Sequence, residues 1–165
     1  ARYNAANFIL LLLDNSATAM TGFQPHPGTG RTATGKEAPV LDLEAICKSL
    51  GAKVQVADPF DLKGATEAML TFLQDKEGVK VLILKRECAL VRSKTQKKLF
   101  QVEVDPERCL GEACGCNRLC TRVFKCSGLY WDSITGKSRI DEAICTGCGV
   151  CAEICPASAI RKEVA

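Results

Sequence analysis

The sequence predicts an α/β domain with a parallel sheet over residues 1–100, followed by a small, cysteine-rich α+β domain over residues 101–165. Apolar runs of strand length alternate with helix-type patterns from Phe8 to Leu84, as in parallel α/β folds. Nine of the eleven cysteines then fall between Cys109 and Cys155. The two halves of the chain therefore have different compositions and different expected chemistry.

The first strand is predicted over residues 8–13, an apolar run without alternation. This pattern is typical of a strand buried on both faces. Asp14, Asn15 and Ser16 follow it as turn and cap residues, and residues 17–39 are a long loop rich in Gly and Pro. Loops of this length in compact domains are usually functional or disordered.

Regular structure is predicted to resume after Pro39. Helix-type spacing over residues 41–50 and 62–73 alternates with strand-type runs over 54–57 and 79–84. Strand, helix, strand, helix, strand in this order predicts a parallel sheet. Cys47 lies on the apolar face of the first helix and is predicted to be a core residue.

Charge and hydropathy narrow the class of protein. The net charge of +3 is too small to indicate nucleic-acid binding. The longest apolar run, residues 8–13, is far shorter than the about 20 residues of a spanning helix, so we expect no membrane contact.

Residues 85–100 are basic and predict a solvated linker; the alternative is a surface that docks an acidic redox partner.

The spacing of the cysteines indicates metal ligation. They fall into tight runs, which favour joint metal ligands over disulfides between distant segments. Reduced thiols imply a reducing compartment, and we expect a cytoplasmic protein. The chain begins at Ala1 with a stretch that reads like the end of a helix, so we also expect it to be a piece of a longer polypeptide.

The regular motif is C-x2-C-x2-C-x3-C-P, formed by Cys145, Cys148, Cys151, Cys155 and Pro156. Three thiolates at two-residue spacing wrap one face of a [4Fe–4S] cube, and the fourth cysteine of such a run serves a second cluster in two-cluster ferredoxins. Zinc sites seldom have this spacing.

The other motif is irregular, with five cysteines where four are needed: Cys109, Cys114, Cys116, Cys120 and Cys126. The expected ligands of cluster 1 are Cys109, Cys116, Cys120 and Cys155. The expected ligands of cluster 2 are Cys126, Cys145, Cys148 and Cys151. Only Gly115 separates Cys114 from Cys116, so both rarely reach different irons of one cube, and Cys114 stays open as the alternative to Cys116.

A hairpin is predicted between the motifs, with residues 129–131 and 138–140 flanking a turn at Gly136 and Lys137. A domain of this size has little core of its own. The clusters are therefore expected to supply folding free energy, and the iron-free domain should be largely unfolded.

The segment after the first strand offers oxygen ligands. Asp14 has a carboxylate, Asn15 a side-chain carbonyl and Ala17 a backbone carbonyl, at the carboxyl end of a strand where α/β sheets bind ligands. Hard oxygen donors of this kind suit Mg²⁺.

The string LDNSATAMTGFQPHPGTG, residues 13–30, resembles the thiamine-diphosphate-binding region of the large (alpha) subunit of indolepyruvate:ferredoxin oxidoreductases. The later strings DPERC, KCSGLYWD and IDEAICTGCGVCAEICP resemble the C-terminal ferredoxin domain of the same family, in the same order. The resemblance covers essentially the whole chain. It makes residues 1–100 the C-terminal part of a thiamine-diphosphate-binding domain and residues 101–165 a 2[4Fe–4S] ferredoxin-like domain.

The resemblance implies oxidative decarboxylation of an aryl 2-oxo acid, such as indolepyruvate, with coenzyme A and external ferredoxin, to give acyl-CoA and CO₂. It also implies that Asn15 and the Ala17 carbonyl ligate Mg²⁺ on the diphosphate. The residues that would line the thiamine cofactor are Thr18, Met20, Thr21 and Gly22. The family's Gly-Asp-Gly stretch, with a second Mg²⁺ ligand, is missing here, so we expect activity only with the remainder of the large subunit and a smaller gamma- or beta-type subunit.

His26, the single histidine, is a weak candidate for acid–base catalysis, because a loop histidine between two prolines is more often structural. Two other functions compete with the enzyme. One is a stand-alone 2[4Fe–4S] electron carrier with an α/β docking module, which would not need the long loop at residues 14–30. The other is a zinc-binding interaction module, which would contain no iron.

Overall fold

A computed structural model describes residues 1–94 and 96–165, together with the backbone of Thr95. The chain divides into two compact units, Ala1–Cys88 and Ala89–Ala165. This division precedes the boundary expected after residue 100, because the helix Ala89–Thr95 belongs with the second unit.

The first unit contains a three-stranded parallel sheet with strand order β1-β3-β2. Its strands are β1 (Phe8–Asp14), β2 (Lys53–Ala57) and β3 (Val79–Lys85). Helix α1 (Leu43–Ser49) precedes β2, and helix α2 (Leu62–Gln74) precedes β3. The predicted alternation of strands and helices and the parallel sheet are confirmed.

Short acidic side chains start both helices. Asp42 accepts a hydrogen bond from the Ala45 N–H at 3.0 Å, and Asp61 accepts one from the Gly64 N–H at 3.0 Å. Each carboxylate pairs a backbone donor that the first helical turn leaves without an intrahelical partner. The sequence therefore sets where the helices between the strands begin.

The core of the first unit lies along β3, where Val81, Leu82 and Ile83 are 3%, 1% and 2% exposed. The prediction that β1 is buried on both faces is wrong within this chain, since Leu13 is 73% exposed. The reason is that β1 is an edge strand paired only with β3, while the helices contact β2 and β3. Cys47, predicted to lie in the core, is half-buried.

The second unit contains two antiparallel strand pairs. The first pair is β4 (Phe100–Val104) with β7 (Ile160–Val164), and the second is the hairpin of β5 (Leu129–Asp132) with β6 (Lys137–Ile140). The predicted hairpin is confirmed.

The described helices of the second unit are the α-helices α3 (Ala89–Thr95) and α4 (Val150–Ile154), a 3₁₀ turn Gly111–Cys114 and a π-helical turn Leu119–Val123. The predicted linker at residues 85–100 is wrong for the part that forms α3. Among the described residues, none of the helices has both the length and the apolar composition of a membrane-spanning segment.

The centre of the second unit includes cysteines. Val102, Leu129, Cys151 and Ile160 form its buried cluster. The partly buried cysteines packed against this cluster are Cys120, Cys126, Cys145 and Cys155. Residues predicted to bind metal are therefore also residues of the core.

Candidate cofactor sites

The structure brings cysteines of both motifs to one cavity. Its lining includes Cys109, Cys114, Cys116 and Cys120 from the irregular motif and Cys155 from the regular one. Cys109, Cys116 and Cys120, the cysteines of the irregular motif predicted to bind cluster 1, thus line the same cavity as Cys155. Two-cluster ferredoxins require this arrangement, because the last cysteine of one motif binds the cluster of the other.

Glycine at position 111 permits the close packing around this cavity. Gly111 has φ +61°, and a Cβ at this residue would lie 2.1 Å from the carbonyl oxygen of Gly136 in the hairpin turn. Any larger residue would push the turn Gly111–Cys114 away from the hairpin. Residues Gly111–Cys114 of the irregular motif therefore form an ordered turn that packs against the hairpin.

Cys114 and Cys116 differ in their tendency to form thiolate. Burial and the neighbouring Cys116 and Cys155 raise the pKa of Cys114. Burial also acts to raise the pKa of Cys116, but hydrogen bonds from the backbone N–H groups of Arg118 and Leu119 outweigh it, so this pKa is lowered. The backbone N–H groups at Cys116 therefore stabilise its thiolate, which is the form that binds iron. This difference could not be predicted from the spacing of the two cysteines.

A backbone N–H and a hydroxyl contact sulfur atoms of this cavity. The Ala159 N–H donates to Cys155 Sγ at 3.3 Å, and Ser138 Oγ lies 3.2 Å from Cys120 Sγ. Hydrogen bonds to thiolate stabilise the charged form that a cluster needs. The donor set of the cavity therefore fits an iron–sulfur cluster.

The cysteines expected to bind cluster 2 form a separate group. Cys151 is buried, and burial together with Cys148, Cys126 and Cys145 raises the pKa of its thiol to about 12. These three cysteines act on Cys151 electrostatically because they lie near it. The cysteines predicted as ligands of cluster 2 therefore lie near one another, and their binding of a cluster stays a prediction.

Gly147 shapes the loop that carries Cys145 and Cys148. Gly147 has φ +69°, and its N–H donates to Cys145 Sγ at 3.4 Å. A Cβ at Gly147 would lie 2.5 Å from the carbonyl oxygen of Phe100. The loop thus passes close to β4 and directs a backbone donor at sulfur.

The two groups of cysteines do not resemble a site for a single ion. In the described part of the chain, no group of three or more His, Cys, Asp or Glu side chains is placed to hold one metal ion. In a four-iron cluster each cysteine binds a different iron, so the thiolates surround a volume instead of meeting at one point.

Asn15 is fixed at the carboxyl end of β1. Its side-chain oxygen Oδ1 accepts the Ala17 N–H at 3.1 Å, and its backbone carbonyl accepts the Cys88 N–H at 2.9 Å. Asp14 is buried, and its Oδ1 accepts the Ser16 N–H at 3.0 Å. An amide oxygen has a second lone pair, so Asn15 and the Ala17 carbonyl have the donor chemistry that Mg²⁺ takes.

The residues expected to line the thiamine cofactor lie in the loop after Asn15. The Thr18 N–H donates to the Gln24 carbonyl at 2.9 Å, and the Thr21 hydroxyl donates to Gln24 Oε1 at 2.7 Å. Gly22 ends the turn Ala19–Thr21 with φ +116°. The Met20 side chain is 99% exposed. The loop is ordered by its own hydrogen bonds and presents its tip outward.

His26 caps the turn Pro27–Thr29. Its Nδ1 accepts the Gly28 N–H at 3.1 Å, and its backbone carbonyl accepts the Thr29 hydroxyl at 2.7 Å. One ring nitrogen is therefore engaged in holding the loop, which favours a structural role for His26 over acid–base catalysis.

A cavity of about 470 Å³ opens where the strands end. Asp14 and Lys85 line it at the ends of β1 and β3, with Lys85 Nζ 4.0 Å from Asp14 Oδ2. Asp42 and Glu44 line it from the start of α1. Of these residues, sequence reasoning had singled out Asp14 alone, because the others come together only through the fold.

Comparisons with known proteins match both units. The thiamine pyrophosphate enzyme family, C-terminal TPP binding domain, matches residues 1–84, and the 4Fe-4S binding domain family matches residues 138–161. The chain therefore belongs to the thiamine pyrophosphate (thiamine diphosphate) enzymes and joins their C-terminal TPP-binding domain to a 4Fe–4S binding domain. No solved structure matches the chain.

The relatives include subunits of one oxidoreductase. The chain is 38% identical to indolepyruvate oxidoreductase subunit IorA of Pyrococcus horikoshii, over 98% of this chain and 25% of that protein. It is 35% identical to the subunit IorA of Archaeoglobus fulgidus, with the same coverage of both chains. The chain thus spans about a quarter of the length of these relatives. The resemblance drawn from the sequence is confirmed.

Proposed function

We propose that this chain is the iron–sulfur electron-transfer and cofactor-binding portion of a thiamine-diphosphate-dependent 2-oxo acid:ferredoxin oxidoreductase. The observation that carries the proposal is the grouping of Cys155 with the irregular motif in one cavity, on a chain whose first unit belongs to the thiamine diphosphate enzymes. The substrate is an aryl 2-oxo acid such as indolepyruvate, and the products are acyl-CoA and CO₂. The names of the relatives support this substrate.

Two [4Fe–4S] clusters are held by the second unit in this proposal. The ligands of cluster 1 are Cys109, Cys116, Cys120 and Cys155. The ligands of cluster 2 are Cys126, Cys145, Cys148 and Cys151. The thiolate-stabilising N–H groups at Cys116 support the choice of Cys116 over Cys114.

Bound thiamine diphosphate supplies the electron sink for decarboxylation of the 2-oxo acid. The oxidation releases two electrons, and a [4Fe–4S] cluster accepts one, so two clusters match the stoichiometry. Asn15 Oδ1 and the Ala17 carbonyl bind the Mg²⁺ of the diphosphate, and the loop with Thr18, Met20, Thr21 and Gly22 borders the cofactor. The backbone hydrogen bonds at Asn15 hold these donors in position.

The chain works with other partners in this proposal. The remainder of the large subunit and a smaller gamma- or beta-type subunit complete the thiamine site, and external ferredoxin takes the electrons. Coenzyme A receives the acyl group. All eleven cysteines lie in the part of the chain that the structure describes and none is in a disulfide, which agrees with the reducing, cytoplasmic location that we propose.

Titration calorimetry of thiamine diphosphate into the assembled complex tests this function. We expect binding that requires Mg²⁺ and is lost with EDTA. Asn15→Leu removes an oxygen ligand and should weaken binding at least tenfold, whereas Asn15→Asp keeps an oxygen at the same position and serves as the matched control. Absence of Mg²⁺-dependent binding would favour the stand-alone electron carrier instead.

A further inference from the structure

Ser138 on β6 places a buried hydroxyl beside a predicted cluster ligand. The residue is 4% exposed, and its Oγ lies 3.2 Å from Cys120 Sγ. Ser138 and Cys120 line the same cavity as Cys109, Cys116 and Cys155. A buried hydroxyl needs a hydrogen-bond partner, and here the partner is the sulfur.

The chemistry of the cluster fixes the direction of this hydrogen bond. A cysteine that ligates iron is a thiolate and has no proton to donate. The Ser138 hydroxyl must then donate to Cys120 Sγ. The hairpin holds the donor in place, because Ser138 pairs with Trp131 across the β5–β6 ladder.

We propose that Ser138 is a positioning residue that raises the reduction potential of cluster 1 through its hydrogen bond to Cys120. The inference rests on the ligand assignment of the proposed function. One-electron reduction adds negative charge to the cluster and its thiolates, and a hydrogen-bond donor stabilises the more negative state more strongly. Hydrogen bonds to sulfur are among the factors that set cluster potentials.

The effect is specific to cluster 1. Within the described residues, the hydrogen bond that reaches a cluster 2 sulfur from another residue comes from the backbone N–H of Gly147, at Cys145 Sγ. That donor is a backbone N–H, which no substitution other than proline removes. Ser138, in contrast, supplies a side-chain donor, and a substitution that removes the hydroxyl oxygen removes this donor.

Ser138→Ala removes only the hydroxyl oxygen and tests the inference. A redox titration followed by EPR, on the anaerobically purified protein, should show one midpoint potential shifted to a more negative value and the other unchanged. Ser138→Thr keeps a hydroxyl and should keep this potential close to that of the unsubstituted protein. The matched control is Thr135→Ala in the same hairpin, whose hydroxyl donates to Asp132 and not to sulfur, and it should leave both potentials unchanged.

A second readout separates the hydrogen bond from a structural effect. Resonance Raman spectra in H₂O and D₂O should show an isotope-sensitive Fe–S(Cys) stretch in the unsubstituted protein that Ser138→Ala abolishes. Unchanged potentials in Ser138→Ala, with full iron content in both proteins, would overturn the inference alone. Half the expected iron in the unsubstituted protein would contradict the proposed two-cluster function, and the inference with it.

Discussion

The two units of the chain differ in what fills their centres. In Ala1–Cys88 the core is aliphatic and lies along β3, with Leu82 1% exposed. In Ala89–Ala165 the buried cluster includes Cys151, and four more predicted ligands pack around it. The first unit is therefore stabilised by apolar burial, whereas we expect the second to depend also on what its cysteines bind. One chain thus combines two different sources of stability.

Removal of iron should produce the largest difference in stability between the two units. Binding of structural metal contributes free energy on the order of 10 kcal/mol, more than a small domain gains from its own core. We expect an iron chelator with a reductant to unfold Ala89–Ala165 and to leave Ala1–Cys88 folded. Hydrogen exchange read by mass spectrometry would follow the amides of β4 and β3. Persistent protection of β4 without iron would show that the second unit has a sufficient core.

Truncation of Leu82 should destabilise the first unit and leave the second unit unaffected. Leu82→Ala leaves a cavity in β3 and should cost about 2–5 kcal/mol in the unfolding free energy of the first unit. Leu13→Ala on β1, 73% exposed, is the matched control and should cost less than about 1 kcal/mol. Urea denaturation measures both, and iron content should stay unchanged in each variant. A loss of iron in Leu82→Ala would mean that the units are coupled.

Substitution of Gly147 should destabilise the second unit, but less than removal of iron does. Gly147→Ala places a Cβ against the Phe100 carbonyl at a positive φ, and we expect a cost of roughly 1–3 kcal/mol with reduced occupancy of cluster 2. Gly136→Ala is the control, since Gly136 also has positive φ but nothing within 4 Å of the added Cβ. Iron content and the EPR spectrum of each variant provide the measurement. Equal losses in both variants would assign the effect to backbone conformation alone.

Acid should weaken the first unit slightly through Asp75. The hydrogen bond from the Lys53 ammonium, followed by that from the Glu77 N–H, lowers the pKa of Asp75 below 3.8 in the folded chain. Folding therefore favours the ionised carboxylate. This contribution is complete above the ordinary aspartate pKa and is lost as pH falls through the lowered value. Thermal unfolding of the iron-free chain between pH 6 and pH 2.5 measures it.

Asp75→Asn provides the control for this pH dependence. The variant cannot ionise at position 75, so its midpoint should lie below that of the unsubstituted chain near neutral pH and approach it in acid. A constant difference between the two chains across the whole range would show that Asp75 acts through packing and not through its charge.

Local patterns in the sequence were enough to predict part of this architecture. The strand and helix periods predicted the parallel sheet, and the turn at Gly136 predicted the hairpin. The β4–β7 pair was missed because its partners, such as Val104 and Ile160, are far apart in sequence and each strand is short. The exposure of β1 follows from its edge position, which its apolar composition does not reveal.

The cofactor sites show the same limit. The spacing of the cysteines was enough to predict that Cys155 belongs with the irregular motif. In the structure, Cys155 lines one cavity with cysteines of that motif. The difference between Cys114 and Cys116 depends on backbone N–H groups that a sequence does not display. The contact of Ser138 with Cys120 joins residues on separate elements, so only the folded hairpin brings them together.

Iron and acid-labile sulfide per chain, combined with the EPR spectrum of the reduced protein, test the central claim most directly. Two interleaved clusters predict about eight iron atoms, about eight sulfides and two interacting S = ½ signals per chain. About four iron atoms with a single isolated signal would contradict the claim, because the irregular motif and Cys155 would then hold no cluster.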